Sequence, residues 1–396
     1  MLKRPIAFGK REPIKKLGFV IFILTIAFAL TSSVMALYIN SFLHSEAKVG
    51  LTFSFLIVVS FLSFFLIIPI IESSDKYSLT IKSLIFSVVG YFLYYFIGNF
   101  YLFLALAAII SVISTVRISA MGLLVKENSK RKTLSKNEGY IYSLSNLSFT
   151  IGSLLIIPLI FYLGLRSVFL AASLVILISM LLIHFLKINH GGRKKRVDGN
   201  VFKNFVAFFK DKARVKSYLL RAGVTFWWSL SYVYLPLLII KKLPEFWVGV
   251  FLAAITIPLI FLEYPFGKMA GRLGYKKFFF LGFLIPAIMS LLCFIFYQNI
   301  FFIMGAITLA SVGLAMLEPN TESYFFDIVK GKEHLRFYSA HNTSLEIGHL
   351  AGQFIPALVL LLLPLKFVFL VFGIGTLLLS FLALSIKNIK ESRRKS

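Results

Sequence analysis

The sequence has a single cysteine, Cys293, in 396 residues, so no intramolecular disulfide and no cysteine-built zinc site can form. Acids are scarce too: 16 Asp and Glu stand against 42 Lys and Arg, and charged residues of both signs make up only 15% of the chain. No polar stretch is long enough to form a water-soluble domain. There is no G-x-x-x-x-G-K-[ST] loop to cradle a nucleotide, no H-E-x-x-H helix and no G-x-S-x-G turn. These absences count against a nucleotide-driven pump, whose ATPase would have to be a separate partner, and leave a membrane-embedded enzyme as a remote reading. No cofactor and no metal is expected.

What the chain does contain is apolar: 59% of residues are hydrophobic and the mean hydropathy is +0.88. Soluble domains hold about 45–50% apolar residues, and no aqueous core could hide this excess. A spanning helix needs roughly 20 mainly apolar residues, because every backbone N–H and C=O must be paired internally where water is absent. Such stretches recur at about 17–40, 49–71, 79–98, 100–123, 139–162, 166–187, 217–240, 246–267, 276–297, 299–320, 338–362 and 366–387. The expected fold is therefore an all-α integral membrane protein of twelve transmembrane helices.

Charge placement orients it. Most Lys and Arg fall in the segments that share a side with the termini, including Lys3, Arg4, Lys10 and Arg11 at the start and Arg193-Lys194-Lys195-Arg196 in the longest connection. This is the positive-inside pattern, which places both termini in the cytoplasm of a multi-pass cell-membrane protein. It also accounts for the net charge of +26 without nucleic acid as a partner. The expected organisation is a cytoplasmic segment at 1–16, a six-helix bundle at 17–187, a basic linker at 188–216, a second bundle at 217–387 and a tail at 388–396. Within the linker, Val201 to Lys210 has an amphipathic, basic pattern suited to a membrane surface.

The two halves repeat. At an offset of 196, Tyr142, Ser143, Asn146, Ser148, Ile151, Gly152 and Leu154 coincide with Tyr338, Ser339, Asn342, Ser344, Ile347, Gly348 and Leu350. The same offset pairs Pro69 with Pro265 and Asp75-Lys76 with Gly271-Arg272. Parallel six-span repeats suit two bundles that rock about a midplane site.

Between spans 8 and 9 the run Gly267-Lys268-Met269-Ala270-Gly271-Arg272-Leu273-Gly274-Tyr275-Lys276-Lys277 resembles the major facilitator superfamily signature G-x-x-x-D-R-x-G-R-K, with Gly271 in place of its acid. The first copy keeps Asp75 and Lys76 but has Ile71 and Ser78 in place of glycines. The resemblance covers essentially the whole chain. It implies a secondary transporter of drug-exporter type built as two pseudo-symmetric six-helix bundles, with Asp75 and Arg272 as candidates for a conformational gate.

Ionisable residues inside spans cost a few kcal/mol to insert and mark functional positions. They are Arg117, Glu263, Glu318, Glu346 and His349. Arg117 and Glu318 fall at nearly equivalent depths in the two halves, which suggests a gate pair formed between bundles. Glu346 and His349 are one turn apart on a helix and form the expected proton-coupling pair, since carboxyl and imidazole groups both exchange protons readily. Trp227, Trp228 and Tyr232, with Asn146, Asn342 and Glu263, are the expected lining of a substrate cavity. An aromatic, acidic cavity favours lipophilic or cationic solutes. The expected activity is proton-coupled efflux of such a small molecule by a monomer in the lipid bilayer. Proton-coupled uptake of a sugar or organic acid is the alternative.

Overall fold

A computed structural model describes residues 13–127, 134–186, 201–329 and 333–389, and all of its regular elements are helices. The first half holds α1 (Pro13–Leu43), α2 (Glu46–Ser73), α3 (Lys76–Phe96), α4 (Phe100–Glu127), α5 (Leu134–Leu163) and α6 (Ser167–Phe185). A short α7 (Val201–Phe209) leads into α8 (Lys212–Ser229), a π-helical turn (Leu230–Tyr234) and α9 (Leu235–Lys242), which together form one long rod. Then come α10 (Phe246–Leu273), α11 (Tyr275–Ile295), α12 (Ile300–Ile328), α13 (Glu333–Leu360) and α14 (Phe367–Leu384).

Local chemistry sets where several rods begin. Asp75 accepts the Ser78 N–H at 2.8 Å and caps α3, and Asp211 accepts from Ala213 and Arg214 and caps α8. Asn299 does the same for α12 through Phe302. Such caps satisfy N–H groups that the first helical turn leaves without partners. Gly274 joins α10 to α11 with φ at 99°, a conformation that favours glycine, and a Cβ there would strike the Asn388 side chain. That is a physical reason for one glycine of the loop motif.

Eleven helices among the described residues are long and apolar enough to cross a membrane. α13 matches them in length but carries His341, Asn342, Glu346, His349 and Gln353, so its composition is more polar. It nevertheless packs as a bundle member, against α2, α8 and α14. Real helices also outrun the apolar stretches: α8 starts at Lys212, capped by Asp211, and α13 at Glu333, so polar turns extend each rod past its hydrophobic part.

The helices form two bundles. In one, α1 packs on α5 and α6 and α3 on α4 and α6; in the other, α8 packs on α12, α13 and α14, and α11 on α12 and α14. Lys16 donates to the Leu186 carbonyl and Lys216 to that of Ser385, so both bundles begin and end on one side, here called the terminal face. The opposite side is the distal face. Outward-facing side chains are large and apolar, among them Phe161, Tyr264 and Leu362, a surface suited to lipid and hazardous in water.

The bundles meet along two seams, α5 on α10 and α2 on α13, with α1 touching the π-turn and α9. Each seam has one glycine against a carbonyl of the other bundle. A Cβ on Gly249 would stand 2.7 Å from the Ser153 oxygen, and one on Gly50 would stand 3.1 Å from the Gln353 oxygen. Near the distal ends, Lys241 of α9 pairs with Glu46 of α2. The distal half of the interface is thus closed by contacts that tolerate little added bulk.

Candidate functional site

The long rod α8–π-turn–α9 carries the site's aromatic residues, and its irregularity has a local cause. Pro236 has no N–H to give the Tyr232 carbonyl and its ring crowds the preceding turn. The chain widens there, and the Leu235 N–H bonds to the Leu230 carbonyl, five residues back. Beside this wide turn the Trp228 and Tyr232 rings stack, with centroids 5.3 Å apart and planes 26° apart. Tyr232 also meets Phe149 of α5 at 5.4 Å, so the stack reaches the other bundle.

Beside the stack lie two carboxyl groups. The Trp228 Nε1–H donates to Glu318 on α12 at 2.5 Å. The Glu318 carboxyl lies near enough to that of Glu263 on α10 for the two to interact. Glu263 in turn accepts from the Asn146 Nδ2 of α5 at 2.8 Å, across the bundle interface. One turn further along α5 and two along α10, the Thr150 and Thr256 hydroxyls are 2.7 Å apart. Two carboxylates side by side repel each other, and a shared proton or a nearby cation relieves that repulsion. The cluster is an acid pair with an indole N–H on one side and a cross-bundle amide on the other.

The structure thus gathers Glu263, Glu318, Trp228, Tyr232 and Asn146 at one place. It does not add the rest. Trp227 is 1% exposed and turns into its own bundle, edge-on to Phe372 at 6.4 Å. Asn342 accepts from Arg221 at 2.8 Å inside the second bundle. Arg117 is buried with its guanidinium 3.5 Å above the Phe28 ring and its Nε unpartnered, and it is not paired with Glu318 in this state. On α13, Glu346 has no hydrogen-bond partner among the described residues, while His349 Nδ1 is 3.4 Å from the Ser229 hydroxyl. Asp75 serves as a helix cap and Arg272 is exposed in the last turn of α10. No three His, Cys, Asp or Glu side chains among the described residues converge on a metal position.

Several participants were not singled out by sequence reasoning. Arg221, which also lies 3.8 Å from Glu322, sits four residues inside the expected seventh span and reads there as a boundary charge. Phe149 is one of 44 phenylalanines and carries no local signal. A separate open cavity of about 770 Å³ lies at the distal end of the first bundle, lined by Tyr38, Phe42, Tyr95 and Arg166 among others. It does not include the carboxyl pair.

Comparison with known proteins gives concordant results. The family model described as Major Facilitator Superfamily matches residues 17–262 and 243–396. No curated protein sequence matches the chain. Among solved structures, a POT family transporter in complex with a thioalcohol-conjugated peptide superposes with a TM-score of 0.80 at 11% identity, covering 96% of both chains. A POT family transporter in complex with 5-aminolevulinic acid gives 0.78 at 10% identity, again over 96% of each. The POT family transporter PepTSo gives 0.74 at 13%, over 95% of this chain and 97% of that one. At such identities the likeness is one of fold.

Proposed function

The chain belongs to the Major Facilitator Superfamily, and so is a multi-pass membrane transporter and not an enzyme; from that premise we propose that it exchanges protons for a lipophilic, cationic small molecule, with net export. The observation that carries this reading is the neighbouring acids Glu263 and Glu318, held beside the Trp228–Tyr232 stack and tied across the interface by Asn146. An acid pair with little water around it needs a positive partner, and a proton or an organic cation meets that need equally well. Each therefore displaces the other, which is the elementary requirement for exchange. The indole and phenol faces give the cation an apolar, electron-rich surface.

Alternating access follows from the seams. In this state the distal half is closed by Gly50, Gly249 and the Lys241–Glu46 pair. With the termini cytoplasmic, as the charge distribution favours, this conformation is sealed toward the outside. Rocking must part these contacts, and Asn146 makes its bond at the level where the acid pair sits. Because each chain holds both bundles, a monomer suffices for the cycle.

A second reading has its own observation. Arg117 offers a buried guanidinium without a carboxylate partner among the described residues, suited to the acid group of an organic or amino acid. The fold neighbour bound to 5-aminolevulinic acid makes uptake of such a solute the alternative. Both readings are tested in liposomes with an imposed pH gradient, comparing lipophilic dye cations with amino acids. The proposed exchange predicts that dye movement follows the gradient and falls to background in Glu318→Gln, while Glu346→Gln retains it. Dye movement indifferent to the gradient, or to Glu318→Gln, removes the proposal. Gradient-driven accumulation of amino acids lost in Arg117→Gln establishes the alternative.

A further inference from the structure

The linker helix α7 takes no part in the carboxyl site, and its two faces differ. One face is fixed to the second bundle. Phe208 is fully buried among Tyr218, Phe325, Phe337 and His341, with ring centroids 6.0 to 6.4 Å away. His341 itself stacks on Phe325 at 4.1 Å. Arg214 then closes the C-terminal end of α7: its Nε donates to the Phe208 carbonyl at 3.1 Å and its Nη2 to that of Ala207 at 3.0 Å. The same guanidinium lies 4.2 Å over the Phe337 ring. Cationic donors at a helix C-terminus satisfy its last carbonyls and oppose the helix dipole.

The other face is unlike a water-facing helix surface. Val206 is 44% exposed and Phe209, at the edge of this face with its ring also packed edge-on to Tyr218 at 5.1 Å, is 38% exposed; they are one turn apart, and exposed Lys203 and Lys210 flank them. α7 packs on α8 and α13, and Phe208 on the end of α12, which puts it at the terminal face where the bundle leaves the bilayer. An apolar pair between two lysines at that level fits a layer with hydrocarbon below and negative charge above. We propose that this face docks on anionic phospholipid headgroups, Val206 and Phe209 entering the interface and Lys203 and Lys210 meeting phosphates. Because Phe208 and Arg214 fasten α7 to the second bundle, membrane charge then holds that bundle's terminal end to the bilayer surface. The inference does not depend on what the transporter carries.

The test uses the one existing thiol's seclusion: Cys293 is buried, so a Val206→Cys chain presents a single accessible sulfur on α7. The full-length protein is reconstituted in vesicles of phosphatidylcholine alone or of phosphatidylcholine with phosphatidylglycerol, and thiol reaction with a membrane-impermeant maleimide is timed. The expected result is a severalfold slower reaction in the anionic vesicles, lost when salt is raised past the range where surface charge acts. Adding Lys203→Glu and Lys210→Glu should remove the difference while leaving reaction in neutral vesicles unchanged. Equal rates in both vesicle types overturn the proposal. So does protection that persists in salt and in the double variant, since α7 would then be covered by protein.

Discussion

Two asparagines, 196 positions apart in matching places of the repeat, bond differently. Asn146 reaches out of its bundle and donates to Glu263 across the interface; Asn342 stays within its bundle and accepts from Arg221. Their helices, α5 and α13, each form one side of a seam. The difference arises from their neighbours. α13 faces α8, which supplies Arg221, whose Nη1 donates to the amide while its Nη2 lies near Glu322, so the amide is drawn inward. Asn146 faces α10, whose Glu263 carboxyl accepts its Nδ2–H at 2.8 Å. Duplication thus provided the same residue twice, and charges placed elsewhere made one copy a bundle fastener and the other an interface contact.

The comparison can be broken most severely at Arg221. Replacing it by Met leaves Glu322 and Asn342 without their cation, and breaking a largely buried pair costs about 3 kcal/mol. The expected result is a clear fall in the thermal midpoint of the detergent-solubilised protein; an unchanged midpoint would mean the inner network is not structural.

The two asparagines themselves provide the sharper contrast. A net hydrogen bond to a charged group is worth about 1.5–3 kcal/mol. Asn342→Ala should lower thermal stability by the lower end of that amount and leave the balance of conformations alone. Asn146→Ala should do the reverse, keeping the midpoint while shifting inter-bundle distances measured between spin labels on the distal ends of α2 and α9. Identical behaviour of the two variants would erase the distinction. The smallest effect belongs to the exposed Lys241–Glu46 pair, where Lys241→Gln should favour opening of the distal face by about 0.2–1 kcal/mol and only at low salt.

Part of the candidate site was legible in the chain. Glu263 and Glu318 declared themselves as acids in apolar stretches, and Trp228 and Tyr232 as members, with Trp227, of an aromatic cluster in one span. Their mutual contact was not legible, because α8, α10 and α12 are separate in sequence and only packing sets which faces converge. The same limit explains Arg117 and Glu318, matched in depth by the repeat yet found on different partners: depth along a helix says nothing about rotation around it. Trp227 and Trp228 are adjacent but point to different surroundings, since neighbours on a helix are about 100° apart.

By itself, then, the sequence determined the solvent the protein lives in, its all-helical, many-span character and the family, since hydrophobicity, charge placement and self-similarity are properties of order along the chain. Only the tertiary structure decided that the acids at 263 and 318 form one pair, that Asn146 ties it across the interface, and that α7 is fastened to the second bundle by Phe208. Those are statements about which helix faces meet, and rotation about a helix axis is fixed by packing against partners far away in sequence.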